Sequence, residues 1–164
     1  MMLERKRLRV AAVILLFAVC VLQAPSLSLA WDGSGEGLEG QETTNENDRA
    51  SLYITRYSGY VNADGKGKVS VWFDITGTGK MDEIGAVTVL LYERNNASSS
   101  WTLARTYGYS SNPGMLAYNK NFHGSNVPYS GVAGRQYYAE VHFWAGKNGG
   151  GDARMIITGI VTAT

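Results

Sequence analysis

The chain of 164 residues has one cysteine, two histidines and, beyond its first 30 residues, no helix-period segment longer than a turn. Each scarcity removes a class of protein. The single thiol, Cys20, sits in an amino-terminal apolar run, so the chain beyond it cannot be a disulfide scaffold and offers no thiolate to a metal. His123 stands beside a loop and His142 inside an alternating segment. Neither has a second histidine two or four positions away, so zinc or copper would need ligands gathered from distant acids. Neither a metal nor a cofactor is expected. No Gly-x-Ser-x-Gly elbow is present. Asn62-Ala63-Asp64-Gly65 opens like a calcium loop but lacks the later ligands and closing glutamate. Gly65-Lys66-Gly67 and Gly77-Thr78-Gly79 precede no helix that could hold a phosphate. A glycosidase pair would have to come from Asp74, Asp82, Glu83, Glu93 and Glu140, and a chain of this size leaves little room for both a core and a deep cleft. The expectation is a protein that is not an enzyme.

A large excess of either charge is also missing. From Trp31 to Asp48 there are six acids and no bases, and from Arg49 to Thr164 eleven bases and seven acids, which leaves −2 over both stretches. That balance argues against nucleic acid or an anionic membrane as a partner. At the amino terminus, Arg5, Lys6, Arg7 and Arg9 precede the apolar run Val10 to Leu22, which is short for a membrane span, and Ser28-Leu29-Ala30 forms a small-x-small site. These features predict a signal peptide over 1–30 and a secreted or extracellular protein with no membrane span after cleavage. Residues 31–48 are polar and acidic, with Trp31 and Leu38 as their only large apolar groups, and read as a flexible leader.

From residue 49 onward the pattern is that of a single all-β domain. Period-two alternation and β-branched or aromatic enrichment predict strands over 52–57, 68–75, 86–93, 101–107, 115–122, 134–144 and 153–162, separated by Gly, Asn, Asp and Ser clusters. In the sixth, Tyr137, Ala139, Val141 and Phe143 form one apolar row. In the fifth, Leu116, Tyr118, Lys120 and Phe122 are the expected core side. Ser58-Gly59 is expected to close the first strand, and residues 81–84 to form a short helical turn or a loop. Seven strands at this spacing predict an immunoglobulin-like antiparallel β-sandwich, with a small β-barrel as the alternative. Open sheet edges could pair between copies, so the oligomeric state stays open.

Aromatic residues are plentiful: all four tryptophans and all ten tyrosines lie beyond residue 30. Trp72, Tyr138 and Trp144 fall opposite the apolar rows, on faces that alternation leaves toward solvent. If their strands share a sheet, they form an aromatic platform suited to the apolar faces of sugar rings or to a protein partner. The expected function is a secreted binding module for a cell-envelope polysaccharide or a surface protein. A bacteriocin-like or toxin-like antagonist, or less readily a small hydrolase, is the alternative.

Four short segments, Ser58-Gly59-Tyr60, Val69-Ser70-Val71, Val89-Leu90-Leu91-Tyr92-Glu93-Arg94 followed by Trp101, and Gly134-Arg135-Gln136-Tyr137-Tyr138, give the chain a resemblance to a family of small secreted β-rich proteins of Gram-positive bacteria. That resemblance implies a signal peptide, a polar leader and one β-rich domain, with no activity or catalytic residue to carry over. At fold level the Gly-x-x-Tyr turn at Gly134 to Tyr137 is similar to the turn before a late strand of fibronectin type III and other immunoglobulin-like modules. There a tyrosine hydroxyl bonds back to nearby backbone.

Overall fold

The computed structural model describes residues 51–164; the expected signal peptide and acidic leader lie outside them. The described residues form seven strands: β1 Ile54–Gly65, β2 Lys68–Arg94, β3 Thr102–Gly108, β4 Leu116–Ser130, β5 Gln136–Lys147, β6 Gly150–Ile157 and β7 Val161–Thr162. One 3₁₀ turn, Pro113–Met115, precedes β4, and no α-helix occurs among the described residues. None of their helices is long and apolar enough to cross a membrane. The strands make a single antiparallel sheet curled into a half-barrel.

The sheet is organised by β2, whose 27 residues pair with four other strands. Its first third, from Lys68 to Thr76, lies between β1 and the second half of β4. Its last third, from Glu83 to Arg94, bonds to β5 on one edge, and to β3 and the start of β4 on the other. A register irregularity in its pairing with β4 falls between Thr76 and Met81. Such irregularities leave residues unpaired and add local twist, which suits a long strand running through a curled sheet. The expected break over 76–80 and the loop or helical turn over 81–84 are therefore extended backbone inside β2.

The core fills the inside of the curl. Val69, Val71, Phe73 and Ile75 of β2 are buried opposite Tyr137, Ala139, Val141, Phe143 and Ala145 of β5, with Ile156 of β6 beside them. The Phe73 and Phe143 rings meet edge to face with centroids 6.4 Å apart, and Tyr57 of β1 reaches Phe143 at 5.5 Å. Gly59 brings β1 close: a Cβ there would lie 3.4 Å from Ile156 Cγ2 and 3.5 Å from Val141 Cγ2. The concave side of the curl thus encloses one core, to which β1, β2, β5 and β6 all contribute.

Two expectations are corrected by this packing. Ser58-Gly59 continues β1, because the hairpin turn lies later, at Lys66-Gly67, with φ of 55° and 76°. In β4 only Leu116 of the expected core row is buried, whereas Tyr118 and Phe122 are 57% and 52% exposed. That strand runs along the edge of β2, and its inward contribution comes from Ala117 near its start and from Val127 and the half-buried Tyr129 near its end.

The turn before β5 has the predicted tyrosine contact. Tyr137 is fully buried and its phenol oxygen accepts the Val132 N–H at 2.9 Å. Burial is the main reason its hydroxyl ionises above the usual phenol range; the Val132 contact opposes the shift and Glu93 adds to it.

Candidate binding site

The three aromatic residues picked out by alternation all lie on outer faces, but they do not meet. Trp72 projects from the first third of β2, on the outside of the part flanked by β1 and β4. Tyr138 and Trp144 project outward from β5. The strands do share one sheet, but Trp144 pairs with Gly85 and Tyr138 with Tyr92, both in the last third of β2, whereas Trp72 lies in its first third and stacks on Tyr60.

Around Trp72 the register builds a row across three strands: Tyr60 of β1 lies opposite Trp72, and Asn126 of β4 opposite it on the other side. Trp72 is 40% exposed and Tyr60 37%. Their rings are parallel to within 6° with centroids 6.4 Å apart, and both residues remain exposed. The indole N–H of Trp72 is already engaged, donating to Ser70 Oγ at 2.9 Å. That bond holds the ring while leaving its faces as the part offered to a ligand. The next row toward the hairpin holds Asn62, Ser70 and Pro128, and the next row away from it Ser58, Asp74 and Gly124. Asp74 accepts from Ser58 Oγ and from Arg56 Nη2, the latter at 3.3 Å. The Phe122 ring leans over the space beside Gly124.

The outer face of β5 carries more aromatic atoms and offers fewer of them. Tyr138 stacks on its cross-strand neighbour Tyr92 at 4.9 Å and 7°, and Trp101 meets it edge to face at 4.6 Å. The Arg94 guanidinium sits 4.3 Å from the Trp101 ring centre and donates through Nε to Gln136 Oε1 at 2.8 Å. All three rings are half-buried, so the cluster is largely satisfied by its own members. Burial, followed by the charge of Glu140, pushes the hydroxyls of Tyr92 and Tyr138 above the ordinary phenol range. Trp144, further along β5, is half-buried over two glycines: a Cβ at Gly146 would lie 2.8 Å from its indole nitrogen, and one at Gly151 would strike its six-membered ring. Here the sheet forms a bed for the tryptophan, which lies flat on it.

Sequence reasoning missed Tyr60, Tyr92 and Trp101. Tyr92 was legible from alternation, since it faces the same way as Leu90 and away from Leu91. Tyr60 was not, because Gly65 opposes Lys68 while Ala63 opposes Val69, an irregularity at the hairpin that shifts every pair beyond it by one. Without that shift, Tyr60 would stand opposite Phe73, and its tie to Trp72 would be lost.

Among the described residues, no three His, Cys, Asp or Glu side chains are grouped so that they could hold a metal ion. Compared with known proteins, the chain matches no family model, no curated protein and no solved structure.

Proposed function

We propose that this protein is an exported, non-catalytic binding module that lays Tyr60 and Trp72 against the ring faces of a polysaccharide of the cell envelope. The observation that carries the reading is the exposed, parallel Tyr60–Trp72 pair on an outer sheet face, bordered by the amides of Asn62 and Asn126. Aromatic faces cover the C–H surfaces of pyranose rings, and amides at their margin exchange hydrogen bonds with hydroxyls. Tyr138 and Trp144, on the other outer face, are the weaker candidates because their rings are occupied by Tyr92, Trp101 and the glycines beneath. A kinship with immunoglobulin-like modules belongs to the same proposal, supported by the Tyr137 to Val132 contact.

Tryptophan fluorescence titrated with soluble fragments of envelope polysaccharide tests this. A saturable change that disappears in Trp72→Ala and persists in Tyr138→Ala is expected. A response that survives Trp72→Ala, or capture of an envelope protein by a surface that does not need Trp72, would refute it.

A further inference from the structure

Resting on that reading, we infer that the ligand is an uncharged glycan, one without carboxylate, sulfate or phosphate groups. The argument is electrostatic. Within one row of Tyr60 and Trp72, the side chains are Ser58, Asn62, Ser70, Asp74, Gly124, Asn126 and Pro128. The single charge among them, Asp74, is paired with Arg56 from the row beyond at 3.3 Å. The hairpin end, two rows from Trp72, adds Asp64 and Lys68, and the turn itself carries Lys66. An anionic polymer would find no free cation beside the rings, and would meet the Asp74 carboxylate, which is only 23% exposed and fixed by two donors. A cationic polymer would have to compete with Arg56 for that same group.

What is free suits hydroxyls. Asn126 stands directly beside Trp72 and can both donate and accept. Asn62 points one amide hydrogen at Asp64 Oδ1 at 2.7 Å, which orients its carbonyl and leaves that oxygen as an acceptor. Because the indole N–H is held by Ser70, the tryptophan contributes a ring face and no donor. The two ring centres, 6.4 Å apart, lie across the strands, so a chain crossing β1, β2 and β4 would lay successive sugars over Tyr60, Trp72 and the Asn126 amide.

The test compares three probes on the full chain by fluorescence titration at low and high salt: cello-oligosaccharides and chito-oligosaccharides, both uncharged, and oligogalacturonate, which is anionic. Saturable binding of an uncharged probe is expected, unchanged by salt, with affinity falling at least about tenfold in Trp72→Ala and in Tyr60→Ala. Trp72→Phe, which keeps a ring, is expected to retain most of the affinity, and circular dichroism confirms that each variant is folded. Asp74→Asn, which releases Arg56, is expected to gain salt-sensitive oligogalacturonate binding. If the unaltered protein instead takes oligogalacturonate in a Trp72-dependent, salt-sensitive way, the neutral-ligand inference falls and the binding face stands. If no probe binds, or binding ignores Tyr60 and Trp72, both fall.

Discussion

Tyr137 is a core side chain carrying a polar atom, and its surroundings are arranged around that atom. Its oxygen receives the Val132 N–H, and Gly131 leaves it room: a Cβ there would lie 2.6 Å from the hydroxyl. Replacing Tyr137 by Phe leaves a partly buried backbone donor without its acceptor, so a loss of about 1–3 kcal/mol in urea denaturation is expected. Gly131→Ala should cost roughly 1–3 kcal/mol by displacing the ring, with a matching change in near-ultraviolet circular dichroism. A wild-type denaturation midpoint for either variant would show that the contact contributes nothing. This residue was legible because a glycine turn followed by a tyrosine heading an alternating row has few other uses. Trp144 was only half legible. Alternation gives its direction, but says nothing of the two glycines, one on the neighbouring strand, that let its ring lie down and become half-buried.

At the level of elements, strand identity was easier to read than strand extent. The β5 row is as alternation requires, with Tyr137, Ala139, Val141 and Phe143 all fully buried. The count of seven is also found, but for a compensating reason: two expected strands are one continuous β2, and the last expected strand is divided into β6 and β7. Glycines and polar residues over 76–80 look like a break because such residues usually make one. Here β1 pairs with Thr76 and Gly77 and its lead-in accepts the Thr78 N–H at Tyr53 O, while β4 pairs with Thr76 and again with Met81, so the strand runs on across the gap. The β4 core row failed because alternation identifies two faces without saying which is covered, and an edge strand covers little of either. Hairpin turns were approximately placed. The Lys66-Gly67 turn needs positive φ at both residues, and a Cβ at Gly67 would lie 2.9 Å from the Ala133 nitrogen. Gly67→Ala is therefore expected to destabilise by about 1–3 kcal/mol, while Lys66→Asn, which tolerates the same conformation, should be neutral or slightly stabilising. Thermal melts of the two variants, moving in opposite directions from wild type or with only the first displaced, would check the assignment.

For the molecule as a whole, the tyrosines set an alkaline limit. Tyr92, Tyr107, Tyr137 and Tyr138 all ionise above the usual phenol value, each chiefly through burial. The folded state therefore keeps protons that the unfolded chain gives up near pH 10, and stability must fall as pH rises from there through the folded values. Urea midpoints measured between pH 8 and 12, with tyrosinate absorbance followed in parallel, should be level at first and then decline together with the appearance of tyrosinate. A level profile throughout would contradict the burial of these hydroxyls. The long second strand has a consequence in time as well. A ribosome releases it before three of its four main partners exist, and the hydrophobic stretch from Ala86 to Leu91 must wait for the segment ending at Lys147. A nascent chain halted before Gln136 should thus be unable to fold, and the domain would reach its final form only after Lys147 has left the ribosome.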